Sequence, residues 1–133
     1  MSLVVSVVTK DGGVFLISPN GPLDSETYGT LEEKIEVILR LAPNVLVLDM
    51  GLVPYISSMG LNVVLKTKKN MVQRGKNFFI ANMKPAVKKV FEVAATLPSF
   101  TIFSTVQEAD KYLLKLQQKE EHKGKGPEKN DNI

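Results

Sequence analysis

The sequence contains no cysteine and a single histidine among its 133 residues. The lack of cysteine excludes disulfide frameworks, thiolate nucleophiles, cysteine-ligated zinc and iron–sulfur clusters. The histidine, His122, lies in a polar stretch near the C-terminus, so a Ser-His-Asp triad inside a fold is not expected. No apolar run approaches the ~20 residues of a membrane helix, and the first residues lack the basic leader of a signal peptide. These absences predict a cytoplasmic protein and remove most of the familiar enzyme chemistry.

Length and composition indicate one globular domain followed by a tail. Hydrophobic residues make up 44% and charged residues 23% of the chain, which is an ordinary balance for a globular protein. The apolar pattern ends near residue 117, and the remainder is polar and charged. Such a segment cannot bury enough apolar surface to order itself. We therefore predict a folded domain over residues 1–117 and a disordered tail over residues 118–133.

Charge is segregated along the chain, although the net charge is only +3. Residues 1–49 carry three basic and seven acidic side chains, whereas residues 50–91 carry eight basic ones and no acidic one. The eight are Lys66, Lys68, Lys69, Arg74, Lys76, Lys84, Lys88 and Lys89. A solvated helix surface is one interpretation, and a docking surface for an acidic protein is another. Direct nucleic-acid binding is disfavoured, because no aromatic residues interleave with the lysines to stack on bases.

Hydrophobic periodicity predicts strands and helices that alternate after an initial hairpin. Two apolar runs flank Asp11-Gly12, a dipeptide typical of tight hairpin turns. The predicted strands are Leu3–Val8, Val14–Ile17, Val45–Leu48, Phe78–Ala81 and Thr101–Phe103. Apolar residues at three-to-four spacing predict a helix after each of the last four strands. A hairpin followed by right-handed crossovers gives an α/β fold with a mixed sheet and about four helices.

Capping residues indicate where two of these helices begin. Asp24 or Ser25 is suited to cap the first helix, and Pro43 stops it. Before the last helix, Thr105 and Glu108 have the spacing of a capping box, in which a hydroxyl and a carboxylate each accept a free backbone N–H.

In such sheets functional residues gather at the carboxyl ends of the strands, which directs attention to the segment between Asp49 and Gly60. Asp49 alone resembles the phosphoacceptor of a receiver domain. Receiver domains also need a cluster of acidic residues at the end of the first strand to hold magnesium. Here that strand leads into a hairpin turn, which supplies no such cluster. We therefore interpret Asp49 as a structural residue that holds the amides of the loop. The glycines of the chain match neither Gly-x-Gly-x-x-Gly nor a Walker motif.

Two adjacent serines, Ser57 and Ser58, precede the second helix. A serine in this position is commonly a simple helix cap. The same position also suits a phosphoserine, because free backbone N–H groups and the positive end of the helix dipole stabilise a phosphate there. The residues by themselves leave both interpretations open.

The segment 45–65 resembles a motif of a known family. It reads Val-Leu-Val-Leu-Asp-Met-Gly-Leu-Val-Pro-Tyr-Ile-Ser-Ser-Met-Gly-Leu-Asn-Val-Val-Leu. This is similar to the apolar strand, Asp, hydrophobic loop and Asp-Ser-Ser-Gly-Leu of the STAS domains of bacterial anti-sigma factor antagonists. Upstream, the segment Gly21–Asp24 resembles that family's Gly-x-Leu-Asp element, and downstream Phe78–Asn82 also fits. The resemblance covers about residues 3–117 and implies a STAS fold.

By this resemblance Ser58 is the phosphoacceptor, because it occupies the first serine of the family motif. Ser57 replaces the usual aspartate and is a rival acceptor, and Met59 replaces the second serine. The loss of the aspartate removes one negative charge that a kinase would meet. The resemblance further implies a partner-binding surface formed by Gly21, Leu23, Asp24, Ser57, Ser58, Met59 and Gly60.

The function that the resemblance implies is a non-catalytic, phosphorylation-controlled partner switch. Unphosphorylated members bind an anti-sigma factor, which is a serine kinase, and so release a sigma factor. The kinase uses its own ATP and magnesium to phosphorylate the serine, so the STAS protein is not an enzyme and needs no cofactor or metal of its own. A PP2C-type phosphatase reverses the modification. The alternative is a non-phosphorylated STAS scaffold or ligand-sensing module in a larger signalling or membrane-transport assembly. Neither function needs insertion into a membrane.

Overall fold

A computed structural model describes residues 2–124, with side chains as far as residue 118. Within this range the chain forms a five-stranded sheet and four α-helices, in the predicted order. The elements are β1 (Val4–Lys10), β2 (Val14–Asn20), α1 (Tyr28–Arg40), β3 (Val45–Asp49), α2 (Ser58–Gln73), β4 (Asn77–Ala81), α3 (Pro85–Val93), β5 (Thr101–Phe103) and α4 (Val106–Gly124). A short 3-10 turn, Leu97–Ser99, lies between α3 and β5.

The sheet has the strand order β1-β2-β3-β4-β5 and is mixed. β1 pairs antiparallel with β2, and every later pair of neighbours is parallel. The predicted α/β fold, with a sheet that opens on a hairpin, is therefore confirmed. β2 continues to Asn20, beyond its predicted end at Ile17, because Val4 and Val5 of β1 still pair with it there.

The hairpin turn depends on two glycines. Gly12 and Gly13 have φ angles of +85° and +74°, a region that glycine enters without steric cost. The side-chain amide of Asn44 donates a hydrogen bond to the carbonyl oxygen of Gly12 across 2.9 Å, which fixes the turn to the start of β3. The predicted position of the hairpin turn is therefore confirmed.

Alternate side chains of the central strands enter two separate cores. Leu46 and Leu48 of β3 pack in the core shared with α1, α2 and α3, whereas Val45 and Val47 pack with α4. All four side chains are buried, as expected for a central strand of a parallel sheet. Three helices thus cover one face of the sheet, and α4 lies on the other.

α1 begins later than its predicted cap. The helix starts at Tyr28, and its N-cap, Thr27, makes no side-chain capping bond. The carboxylate of Asp24 instead accepts the N–H groups of Glu26 and Thr27, across 2.9 and 3.2 Å. Asp24 therefore stabilises the turn that precedes the helix. The prediction that Asp24 or Ser25 caps α1 itself is wrong.

α4 begins with a variant of the predicted capping box. The hydroxyl of Thr105 accepts the N–H of Glu108 across 3.2 Å, but the Glu108 carboxylate accepts the N–H of Ser104 and not that of Thr105. The helix continues to Gly124, into the segment predicted as a tail. The remainder of that segment, residues 125–133, lies outside the described residues. No helix within residues 2–124 is long and apolar enough to cross a membrane.

Candidate functional site

The loops that follow β2 and β3 lie side by side. Isolated parallel bridges pair Asn20 with Leu52 and Leu23 with Ile56. The N–H of Ser57 then donates to the carbonyl oxygen of Leu23 across 2.9 Å, where α2 begins. Two motifs that are far apart in the sequence therefore form one continuous surface beyond the carboxyl end of β3.

The two serines at the start of α2 have different environments. Ser57 is the N-cap: it is half-buried, and its Oγ accepts the N–H of Gly60 across 3.3 Å. Ser58 is the first residue of the helix and is exposed. Within the described residues its hydroxyl makes no hydrogen bond. The fold therefore uses the hydroxyl of Ser57 and leaves that of Ser58 available.

Gly60 allows α2 to pass close to the loop that follows β2. A Cβ at this position would lie 2.6 Å from the carbonyl oxygen of Leu23 and 2.9 Å from Cγ1 of Ile56. Gly21 has a φ angle of +127°, and its N–H donates to the carbonyl oxygen of Leu52 across 3.0 Å. Leu23 and Gly60 are buried, so they determine how the two loops pack together without being exposed themselves.

Asp24 contributes a negative charge to this surface. Its Oδ2 accepts the phenol of Tyr55 across 2.9 Å, and its Oδ1 accepts the backbone N–H groups of Glu26 and Thr27. The bond from the Glu26 N–H, and next the one from Tyr55, lower the pKa of Asp24 below its usual value. The same phenol–carboxylate bond raises the pKa of Tyr55. A carboxylate that is stabilised in this way is ionised at neutral pH.

Asp49 holds the loop after β3, as predicted. Its Oδ1 accepts the N–H of Gly51 and the side-chain amide of Asn82, each across 3.0 Å. Asn82 adopts a φ angle of +59° at the end of β4, so the two strand ends are joined through this pair. Within residues 2–124 no group of three or more histidine, cysteine, aspartate or glutamate side chains is arranged to hold a metal ion.

Three large apolar side chains are exposed in the loop after β3 and the first turn of α2. The exposed fractions are 58% for Leu52, 45% for Tyr55 and 41% for Met59. Met59 is marked by its position in the family motif. Nothing in the sequence indicates that Leu52 and Tyr55 are exposed, because an apolar residue in a loop carries no signal of exposure. Apolar patches of this kind, next to polar groups, are typical of protein-binding surfaces.

Part of the basic stretch has partners inside the domain. Lys66 forms an ion pair with Glu32 across 2.7 Å, and this hydrogen bond raises the pKa of Lys66. Lys84, Lys88 and Lys89, at the start of α3 and along it, are exposed. The basic stretch is therefore divided between Lys66, which is paired inside the domain, and the exposed cations of α3.

The sequence pattern that describes the STAS domain matches residues 6–109. The chain belongs to the STAS domain family. The match begins within β1 and ends within α4, so it includes the loops described above. The predicted family and fold are confirmed.

Relatives of this STAS domain are anti-sigma factor antagonists by name. BtrV of Bordetella bronchiseptica, named as one, is 30% identical over 100 residues, which cover 75% of this chain and 86% of BtrV. The crystal structure of an anti-sigma factor antagonist from Mycobacterium paratuberculosis has a TM-score of 0.76 at 24% identity, and the match covers 83% of this chain and 92% of that one. The structure of SpoIIAA of Bacillus in its phosphorylated form has a TM-score of 0.65 at 17% identity, and the match covers 82% of this chain and 99% of that one. The STAS domain is therefore a member of the anti-sigma factor antagonist family.

Proposed function

We propose that this STAS domain is a partner switch controlled by phosphorylation of Ser58. The unphosphorylated form binds an anti-sigma factor and thereby releases a sigma factor, and the phosphorylated form does not bind. The observation that carries the proposal is the position of Ser58: it is exposed, it opens α2, and its sequence neighbours Tyr55 and Met59 are exposed apolar residues.

Ser58 is a better acceptor than Ser57. An exposed hydroxyl can enter the active site of a kinase while the helix stays folded, and a phosphate there meets the free N–H groups of the helix N-terminus. Ser57 would have to release the Gly60 N–H that its Oγ accepts before this oxygen could react in the active site of a kinase. Loss of an N-cap costs about 1 kcal/mol. Because serine and aspartate are both good N-caps, the replacement of the family's aspartate by Ser57 preserves this capping role.

Phosphate on Ser58 changes the charge beside the exposed side chain of Met59. It adds roughly −1.5 to −2 charges, and Asp24 already contributes a negative charge to the same surface. A partner protein that covers Leu52 and Met59 would either have to remove the water around this charge or be repelled by it. A buried mismatched charge weakens binding by about 3–4 kcal/mol. Since each 1.4 kcal/mol is tenfold in affinity, binding is expected to weaken by two to three orders of magnitude.

The partner that we propose is an anti-sigma factor that is itself a serine kinase. It supplies the ATP and magnesium for the reaction, and a PP2C-type phosphatase removes the phosphate. The STAS domain is then a ligand and a substrate, with no catalytic role of its own. The phosphorylated form of SpoIIAA supports this proposal, because it is a protein of the same fold that carries a phosphate.

The residues of the surface have separate roles in this switch. Leu23 and Gly60 are buried and fix the path of the two loops. Ser58 and Met59 are exposed and contact the anti-sigma factor. Asp24, half-buried and held by Tyr55, presents a fixed negative charge that the partner must match.

Binding of Ser58 variants to the anti-sigma kinase of the same genome tests the proposal. With ATP and magnesium present, Ser58→Ala is expected to stay bound, whereas Ser58→Glu is expected to bind about a hundredfold more weakly. Ser57→Ala is the matched control and should still be released by phosphorylation. Equal affinities of Ser58→Ala and Ser58→Glu would contradict the switch. A Ser57→Ala protein that no longer accepts phosphate would place the acceptor at Ser57.

A further inference from the structure

β1 is an edge strand without the usual protection against pairing with another strand. Within the described residues it pairs with β2 alone, and its register runs from Val4 to Lys10 without a bulge. Six consecutive residues, Val4–Thr9, contain no charge and no proline. The opposite edge, β5, is only three residues long. Natural edge strands are commonly short, charged, bulged or interrupted by proline, because an open edge recruits other strands.

One face of this edge strand is apolar and open. Val4 and Val8 are 62% and 51% exposed, whereas Val5 and Val7, on the other face, pack against the core. α4 lies over β3, β4 and β5. It reaches β1 through the ion pair between Lys10 and Asp110, across 3.0 Å. Two β-branched apolar side chains therefore remain exposed beside a row of unpaired backbone groups.

The sequence of the strand is symmetric about Ser6. The run Val4–Val8 reads Val-Val-Ser-Val-Val in either direction. An antiparallel pair of identical strands centred on Ser6 brings Val4 opposite Val8 of the second copy, and Val5 opposite Val7. Exposed valine then covers exposed valine on one face. Cross-strand pairs of apolar β-branched side chains stabilise a sheet.

We infer that β1 pairs antiparallel with β1 of a second copy of this chain, about a two-fold axis at Ser6. Such a contact is isologous and closes with two subunits. The charges fit this register, because Lys10 lies opposite Ser2 of the second copy and the two lysines stand at opposite ends of the pair. The inference depends on β1 and not on Ser58, so it stands or falls separately from the partner switch.

Cysteine crosslinking tests the register in the 133-residue chain. The natural chain has no cysteine, so Ser6→Cys introduces one thiol per chain. In the inferred pair the two substituted Cβ atoms lie about 4.5–5.5 Å apart, and a short bis-maleimide is expected to link most of the protein into dimers. Thr9→Cys is the matched control: it is exposed on the same strand, but the two copies lie about 20 Å apart in this register.

Charge substitutions at the two exposed valines test the contact without crosslinking. Two strands of seven residues bury less than a standard interface of about 1,600 Å², so the dimer is expected to form progressively with concentration. Light scattering of the natural protein should approach twice the chain mass of 14.7 kDa. The double variant Val4→Lys, Val8→Lys should stay monomeric, because like charges oppose each other. The double variant Val4→Lys, Val8→Glu should recover the dimer at low salt.

Two results would overturn the inference. One is a natural protein that is monomeric at all concentrations and a Ser6→Cys variant that crosslinks no more than Thr9→Cys. The other is a dimer whose mass is the same in the natural protein and in both valine double variants, since its interface would then lie elsewhere. Circular dichroism of each variant establishes that the fold is retained, which is expected because the substituted side chains are exposed.

Discussion

The phenol of Tyr55 donates a hydrogen bond to the carboxylate of Asp24 across 2.9 Å, between residues 31 apart in the sequence. This contact joins the loop after β3 to the turn that precedes α1. It adds to the backbone bond between the Ser57 N–H and the Leu23 carbonyl oxygen. The two loops that we propose as the partner-binding surface are therefore held together by both side-chain and backbone bonds.

Loss of the carboxylate should lower the pKa of Tyr55. The hydrogen bond to Asp24 is the largest cause that raises this pKa above 10.0, so in Asp24→Asn it is expected to fall back toward that value. The measurement is an ultraviolet absorbance titration of the phenols. The same titration of Tyr55→Phe identifies the signal of Tyr55 among the three tyrosines of the chain. An unchanged titration in Asp24→Asn would show that the bond is absent in solution.

The same bond predicts how stability depends on pH. The pKa of Asp24 is lowered by folding, so its contribution is complete above its unfolded value near 3.8 and is lost as the pH falls through the folded pKa. The pKa of Tyr55 is raised, so its contribution is complete below 10.0 and is lost as the pH rises through the folded pKa. The difference in unfolding free energy between the natural protein and Tyr55→Phe should be largest between these limits. A difference that does not depend on pH would contradict this bond as its cause.

Replacement of Gly60 should destabilise the fold strongly. A Cβ there would lie 2.6 Å from a backbone carbonyl oxygen, which cannot move aside as the end of a flexible side chain can. Gly60→Ala is expected to lower the unfolding free energy by about 1–3 kcal/mol. Gly29→Ala is the control, since this helical glycine has open space around its Cβ position, and it should stabilise α1 by up to about 1 kcal/mol. Urea unfolding measures the unfolding free energy of both variants. A Gly60→Ala protein as stable as Gly29→Ala would contradict the close approach of the Leu23 carbonyl oxygen to Gly60.

The order of the elements and the role of Asp49 could be predicted from the sequence because both depend on local patterns. The unbroken apolar run Val45–Leu48 is typical of a strand that is buried on both faces, and it is one. Asp49 ends β3 directly after this run, at a position where a carboxylate commonly accepts the amides of the next turn. The hydrogen bond that its carboxylate accepts from the Gly51 N–H could therefore be predicted from the sequence.

Features that depend on contacts between distant segments could not be predicted. Nothing near Tyr55 in the sequence indicates that its phenol meets Asp24, and nothing near Gly60 indicates that a carbonyl oxygen of another loop lies against it. The start of α1 was misplaced for a related reason. Asp24 has the character of a helix cap, but its carboxylate stabilises a separate turn before Tyr28.

The basic surface of α3 should accelerate association with the anti-sigma factor. If its exposed cations steer an acidic partner, the double variant Lys88→Glu, Lys89→Glu should lower the association rate constant by about tenfold at low ionic strength. The effect should shrink as salt is added, and the dissociation rate constant should change little. Lys111→Glu, an exposed residue of α4 on the other side of the sheet, is the control. Stopped-flow kinetics at several salt concentrations would contradict steering if the association rate did not depend on salt.

Phosphopeptide mass spectrometry of the protein recovered from its own cells, during growth and under stress, tests the phosphorylation switch most directly. We expect phosphate on Ser58, in a proportion that changes between the two conditions. Phosphate on Ser57 alone would keep the mechanism but contradict the acceptor that the exposure of Ser58 indicates. The absence of phosphate from both serines under every condition would contradict the switch and favour a constitutive STAS scaffold.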